Sequence, residues 1–157
     1  MYRCILLILV SMAIVSCSNG LEVTPEEQAD FQSGTYILYR IDGDRYPGSP
    51  VSEGSELIHG WEILESCNLE STRDRALVFK AFENGQKQWS KLGGIPVDCF
   101  QPRHGIRTTI DGVTTDYLIC FQCSNFMIWT NDEQSGGGMT SNSPMETFDS
   151  ILAACNR

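Results

Sequence analysis

Four residues whose side chains could bind a metal or exchange disulfides lie in one short part of the chain. Cys99 and His104 precede a predicted β-hairpin, and Cys120 and Cys123 lie at its end. Tetrahedral zinc sites use thiolate and imidazole ligands, and a Cys-x-x-Cys pair commonly supplies half of such a site. One interpretation of this spacing is therefore a zinc site formed by the four side chains.

The same cysteines could instead form a disulfide, from Cys99 to either Cys120 or Cys123, with one thiol left over. Exported proteins favour oxidised cysteines, and the pairing cannot be read from spacing alone. On one regular strand, Cys120 and Cys123 would point to opposite faces, which disfavours a shared metal. A disulfide is therefore favoured over a metal site, over unreactive buried thiols and over redox catalysis. The pair ends a strand, without the helix N-terminus that activates thioredoxin-type thiols.

Arg103 and Arg107 form, with His104, the basic cluster of an acidic chain, and they could contact an anion or a substrate carboxylate. A hairpin centred on Asp111-Gly112 places Arg107 opposite Asp116, so an internal ion pair is the favoured interpretation. His59 shares a predicted strand face with Trp61 and is interpreted as a core histidine rather than a catalytic base. No residue is assigned a catalytic role.

This part of the chain resembles an uncharacterised bacterial family. Its members show a Cys-aromatic-x-Pro-Arg-His-Gly-aliphatic-Arg segment, followed by an Ile-Cys-Phe-x-Cys strand. The corresponding segments here are Cys99-Phe-Gln-Pro-Arg-His-Gly-Ile-Arg107 and Ile119-Cys-Phe-Gln-Cys123, and the resemblance covers about residues 99–129. The family carries no activity that could be transferred, so the resemblance implies only that any function lies in this block.

Residues 1–16 are predicted to be a lipoprotein signal peptide. Arg3 precedes an apolar run, and Ile14-Val15-Ser16-Cys17 resembles the lipobox of bacterial lipoproteins. The resemblance implies that Cys17 carries the lipid and becomes the mature N-terminus, anchored by two or three acyl chains. A spanning helix needs about 20 apolar residues, and serines interrupt this run too early. Ser18 after the lipidated cysteine favours the outer membrane, facing the periplasm.

Processing would leave 141 residues and change the formal net charge from −9 to −10, since Arg3 is lost with the signal. An acidic chain of this kind argues against nucleic acid and against electrostatic docking on anionic lipid. The expected partners are the membrane, through the lipid, and an envelope protein. We expect a lipid-anchored tether with a short helix over residues 17–34 and one globular domain over residues 35–157.

The patterns predict an α+β domain with an antiparallel sheet of about five strands and two main helices packed on one face. The strands are expected at residues 36–41, 57–64, 107–110, 113–121 and 126–129. The helices are expected at residues 71–84 and 143–155, and a glycine-rich loop is expected at residues 131–143.

These observations favour a non-enzymatic, lipid-anchored envelope protein that serves as a binding or structural module. The alternative is a small metal- or thiol-dependent enzyme centred on Cys99, His104, Cys120 and Cys123, with zinc as its cofactor.

Overall fold

Seven antiparallel strands and three helices form the fold in the computed structural model, which describes residues 21–29, 31, 33–93 and 98–156. The helices are α1 (Pro25–Ala29), α2 (Thr72–Leu92) and α3 (Met145–Cys155). The strands are β1 (Thr35–Ile41), β2 (Leu57–Ile58), β3 (Trp61–Asn68), β4 (His104–Ile110), β5 (Val113–Cys120), β6 (Asn125–Thr130) and β7 (Glu133–Met139). The signal peptide and Cys17 lie outside the described residues.

All strands belong to one curled sheet with the order β2-β3-β1-β4-β5-β6-β7, and every neighbouring pair is antiparallel. The α+β class and the antiparallel sheet are confirmed, and α2 and α3 pack against the same face. The predicted five strands are an undercount. One predicted strand is two strands, and one predicted loop is a strand.

The predicted strand over residues 57–64 is divided by a two-residue turn. His59 and Gly60 have φ angles of 48° and 84°, and Ile58 pairs with Trp61 across the turn. Two consecutive left-handed residues form the type I′ turn that suits a tight hairpin. His59 therefore lies at a hairpin tip, and its predicted place on a strand face beside Trp61 is wrong.

The predicted glycine-rich loop contains β7, which follows a second turn with left-handed residues at Asn131 and Asp132. Glycine is required where this strand lies against β6. A β-carbon on Gly137 would meet the backbone oxygen of Phe126 at 2.6 Å, and one on Gly138 would meet its ring at 2.8 Å. Because glycine has no side chain, these positions lack the alternation of polar and apolar residues that identifies a strand. The sequence pattern is therefore typical of a loop, although the chain pairs with β6.

One face of the sheet is covered by α2 and α3, and we call it the helix-covered face. Its core consists mainly of aliphatic and aromatic side chains, including Leu38, Ile106, Ile119, Val78, Phe82, Phe148 and Leu152. Helix α2 begins as predicted, with Ser71 Oγ accepting the N–H of Asp74 at 3.4 Å. It does not end at Gly85, where a β-carbon would meet Thr140 Oγ1 at 2.5 Å, so this glycine permits close packing. The helix continues to a left-handed cap at Gly93.

The opposite face carries a second core of Tyr39, Ile41, Ile58, Trp61 and Leu118. It is concave, because the β2–β3 hairpin at one edge curls over the sheet and its tip reaches β5. The β4–β5 hairpin has the predicted register, with Ile110 opposite Val113 and Arg107 opposite Asp116. Tyr117, Ile119 and Phe121 face the helices, whereas Val113 is exposed.

Two disulfides brace the domain. Cys67 on β3 is bonded to Cys155 at the end of α3, and Cys99 is bonded to Cys123 after β5. The prediction that this chain contains disulfides is confirmed. None of the helices in the described ranges is both long enough and apolar enough to cross a bilayer.

Candidate functional site

Three of the four predicted metal or disulfide residues come together, and we call Cys99, Cys120 and Cys123 the cysteine triad. Their three sulfur atoms lie within 4.8 Å of one another. Cys99 and Cys123 are bonded, whereas Cys120 is a free, buried thiol. The chain turns at residues 121–124, where Ser124 N–H donates to the oxygen of Phe121. This turn brings Cys120 and Cys123 to the same place, which a regular strand would not do.

A cavity of about 520 Å³ lies beside the exposed member of the triad, Cys99. We call it the Cys99 cavity; it is lined by Tyr46, Asp98, Cys99, Phe100, Gln101, Asn125 and Met127. Asn125 donates from Nδ2 to the backbone oxygen of Cys99 at 2.8 Å. Its Oδ1 atom is buried, and no described residue donates a hydrogen bond to it. The cavity therefore combines aromatic rings with the polar side chains of Asp98 and Gln101.

His104 does not join the cysteine triad as the zinc interpretation required. It lies on the helix-covered face, because its cross-strand partner Ile119 also faces the helices. Its Nε2 donates to Asp149 of α3 at 2.8 Å, and its ring packs against Phe121 and Phe148. Burial lowers the pKa of His104, although Asp149 opposes this change. The histidine therefore favours its neutral form and links β4 to α3.

His59, Arg107 and Asp116 form a hydrogen-bonded ion network on the concave face, which we call the clasp. Arg107 donates from Nε and Nη2 to the two carboxylate oxygens of Asp116, each at 2.7 Å. His59 donates from Nε2 to Asp116 Oδ2 at 2.7 Å, and its ring stacks on Trp129 at 4.5 Å between centroids. Because His59 lies on the β2–β3 hairpin and Asp116 on β5, the clasp closes the curled sheet.

The clasp surrounds a carboxylate that has almost no contact with solvent. Asp116 is 2% exposed, and a buried carboxylate is tolerated only when it is paired and hydrogen-bonded. The hydrogen bonds from Arg107 to Asp116 raise the pKa of the arginine. Burial also raises the pKa of Tyr39, which lies on the same face, while Arg107 opposes this change.

Asp132 lies close enough to His59 and Asp116 for their ligand atoms to fall within 4.8 Å, a spacing at which such groups could hold a metal. Both oxygens of Asp116, however, are already engaged by Arg107, and Oδ2 also accepts from His59. The geometry is that of a closed ion network rather than an open coordination site.

The two arginines of the predicted anion site each face a carboxylate of the chain itself. Arg107 pairs with Asp116, as the hairpin register predicts. Arg103 donates to both carboxylate oxygens of Asp44, from Nη2 at 2.6 Å and from Nη1 at 3.3 Å. Sequence reasoning did not find Asp44 because it lies in a long loop, far from Arg103 along the chain.

An aromatic groove of about 510 Å³ lies between α2 and the β5–β6 part of the sheet. Its rings contact one another in series. Phe31 makes a tilted contact with Phe79, and edge contacts then connect Phe79 to Tyr117, Phe82 and Phe126. Ile128 completes the apolar wall, and Glu27, Lys80, Glu83 and Gln86 also line the groove. Sequence reasoning missed it, because apolar residues at helical spacing predict a packed core as readily as an open groove.

Lys80 joins the short helix α1 to the groove. Its Nζ bonds Glu27 Oε1 at 2.8 Å and donates to the backbone oxygen of Glu22. The hydrogen bonds from Lys80 and Thr24 lower the pKa of Glu27 to about 2. Thr24 and Glu27 also form a capping box at the start of α1, with the N–H of Thr24 donating to Glu27 at 2.7 Å.

Comparison of the chain with protein-family models, with curated proteins and with solved structures gives no significant match. The function must therefore be argued from the geometry of the cysteine triad, the clasp and the aromatic groove.

Proposed function

We propose that this chain is a lipid-anchored envelope protein whose folded domain binds a small, uncharged apolar molecule in the aromatic groove. The observation that carries the binding role is the groove itself. Its volume of about 510 Å³ falls in the range of small-molecule sites, which are mostly apolar with a few polar groups. Anchoring through Cys17 is supported by the lipobox-like segment, and outer-membrane attachment by Ser18.

The charges of the groove favour an uncharged ligand. Glu27 and Glu83 lie at the groove with one cation, Lys80, which is already paired with Glu27. Glu83 is paired in turn with Lys87, with 2.6 Å between Nζ and Oε1, so each charge at the groove already has a partner of opposite sign. The binding energy would therefore come from contact with the aromatic rings, at about 25 cal/mol per Å² of apolar surface removed from water.

The binding role can be tested with Nile red, a neutral dye whose emission rises in apolar surroundings, and the chain from residue 18. Gln86→Trp places an indole in the groove from the exposed side of α2 and should weaken dye binding about tenfold, which corresponds to about 1.4 kcal/mol. Leu64→Trp is the matched control, because Leu64 is 53% exposed and does not line the groove. Equal dye affinity in the two variants would remove the groove as the binding site.

The anchor is tested separately. Cys17→Ser should move the protein from the lipid-anchored form into the soluble or unprocessed fraction, because no acyl chain can then be attached at the predicted site. A processed Cys17→Ser protein that stays in the detergent-soluble membrane fraction would contradict the lipoprotein assignment. Dye binding by the chain from residue 18 is unaffected by this result, so the two parts of the proposal can fail independently.

A second candidate function is a zinc- or thiol-dependent enzyme at the cysteine triad. The observation that favours it is the spacing of the three sulfur atoms, which suits a soft metal once the Cys99–Cys123 bond is reduced. His104 is not a metal ligand in this candidate function, because it lies on the helix-covered face. Zinc near one equivalent in reduced protein, lost in Cys120→Ala, would support the candidate; no zinc in reduced protein would exclude it.

A further inference from the structure

We propose that the cysteine triad is a thiol–disulfide exchange centre that makes Cys99 a reactive thiol toward a peptide disulfide. In the structure Cys99 and Cys123 are bonded, and the Cys120 sulfur lies within 4.8 Å of both. The N–H of Cys123 donates to Cys120 Sγ at 3.1 Å, which holds the free thiol against the bridge. The other disulfide differs, since no third described cysteine forms such a group with Cys67 and Cys155.

The exchange step conserves the number of disulfide bonds and thiols within the protein. The Cys120 thiolate attacks Cys123 Sγ, a Cys120–Cys123 bond forms, and the Cys99–Cys123 bond breaks with its electron pair leaving on Cys99. The proton that Cys120 loses to solvent is matched by the one that Cys99 can gain. One disulfide and one thiol are present before and after, so the step requires no outside oxidant or reductant.

The two isomers differ in which thiol can react with a partner. Cys120 is 1% exposed, so the bridge between Cys99 and Cys123 leaves the free thiol inaccessible. Cys99 is exposed, and exchange would place its thiol in the Cys99 cavity. Exchange therefore converts a protected thiol into an accessible one.

The Cys99 cavity indicates the substrate class. Asp98 and Gln101 line it, and their side-chain oxygens can accept the N–H groups of an extended peptide. Tyr46 and Phe100 provide apolar contact. A Cys99 thiolate would attack one sulfur of a peptide disulfide, form a mixed disulfide and release the other sulfur as a thiol. This site is separate from the aromatic groove, so it does not depend on the proposed binding role.

The test uses the full chain, exported and extracted in detergent, with native alkylation by iodoacetamide at alkaline pH followed by acid quenching. Trypsin and chymotrypsin together separate the cysteines, because Phe121 lies between Cys120 and Cys123. We expect label on Cys99 and a Cys120–Cys123 linked peptide that increases with time. Label on Cys120 alone, or a Cys99–Cys123 bridge that persists unlabelled, would overturn the proposal.

Cys120→Ala is the matched variant, because it removes the attacking sulfur but leaves Cys99 and Cys123. Labelling of Cys99 should fall about tenfold or more, while the Cys67–Cys155 bridge provides an internal reference in every sample. Equal Cys99 labelling in variant and wild type would contradict the role of Cys120. If the variant does not fold, the linked peptides of the wild-type protein still decide the question.

A second arm uses oxidised glutathione as a peptide-disulfide probe. The wild-type protein should gain one glutathione at Cys99 and release one glutathione thiol, whereas Cys120→Ala should gain none. Failure of the wild-type protein to form this adduct, with exchange nevertheless observed, would overturn the proposed reaction with peptide disulfides.

Discussion

The two faces of the sheet are closed by different chemistry. The helix-covered face is sealed by apolar packing of α2 and α3 and by the Cys67–Cys155 bond. The concave face has a smaller apolar core, and it is closed by the charged clasp and by the Cys99–Cys123 bond, which has a free thiol beside it.

The helix-covered face is therefore closed by permanent contacts, whereas the concave face is closed in part by contacts that can be exchanged. Apolar packing is insensitive to pH and redox conditions over the range in which proteins work, whereas an ion pair responds to pH and an exchangeable disulfide responds to redox conditions. The aromatic groove belongs to the helix-covered side and the cysteine triad to the concave side. We infer that ligand binding is placed on the rigid face and thiol chemistry on the adaptable one.

Loss of a disulfide is the largest effect that we expect, and the two bonds should differ in their contribution to stability. They join residues 88 and 24 positions apart, which corresponds to about 4.6 and about 3.4 kcal/mol of loop-closure stabilisation. The double variant Cys67→Ala/Cys155→Ala should therefore lose about 1 kcal/mol more than Cys99→Ala/Cys123→Ala. Guanidinium unfolding measures both, and a greater loss in the second variant would contradict the comparison.

The clasp should be more sensitive to loss of its arginine than a similar ion pair on the other face. Arg107 and Arg40 have almost equal side-chain exposure, at 31% and 32%, but Asp116 is 2% exposed and the Arg40 partner Asp149 is 42% exposed. Arg107→Met leaves a buried carboxylate with one donor, at a cost of about 3 kcal/mol. Arg40→Met should cost less than about 1 kcal/mol. Equal losses in urea unfolding would show that Asp116 is not held as a buried ion.

The hairpin that carries Arg107 and Asp116 shows which contacts can be predicted from the sequence. Asp111-Gly112 predicts the turn, the turn sets the register, and the register places Arg107 opposite Asp116. All of these contacts are local, so they follow from residue types at short spacing. The capping boxes of α1 and α2 are predictable for the same reason.

Contacts between distant segments could not be predicted in this way. His59 meets Asp116 only because the sheet curls, and Asp149 meets His104 only because α3 packs beside β4. His59 also occupies a left-handed position, with a φ of 48°, which is uncommon for residues other than glycine. Neither sheet curvature nor helix placement is encoded in a local pattern.

A substitution in the β4–β5 turn should have an effect of intermediate size on stability, because β4 and β5 contribute side chains to both faces of the sheet. Gly112 has a φ of 80°, and no atom lies within 4 Å of a β-carbon placed there, so Gly112→Val acts through backbone strain alone. We expect a loss of about 1–2 kcal/mol, seen as a lower thermal midpoint. Gly112→Asn should recover most of it, because asparagine tolerates this conformation. An unchanged midpoint in Gly112→Val would contradict the type I′ turn.

The smallest expected effect is a pH dependence of the folding stability. It comes from His104, the one buried histidine on the helix-covered face among the described residues. Burial lowers the pKa of His104 in the folded protein, so the unfolded chain takes up this proton first as the pH falls below about 6.5. The folding stability that depends on a neutral His104 is therefore complete above that pH. It is lost as the pH falls toward the lowered pKa of the folded state.

His104→Phe isolates this contribution, because phenylalanine keeps the contacts with Phe121 and Phe148 but cannot be protonated. The variant also loses the hydrogen bond to Asp149. This loss should cost little stability, since the Asp149 side chain is 42% exposed and its carboxylate can be hydrated. Between pH 7.5 and pH 5.5, urea unfolding should show a smaller decline in stability for the variant than for the wild-type protein. A decline of the same size in both would show that the pKa of His104 is not lowered by burial.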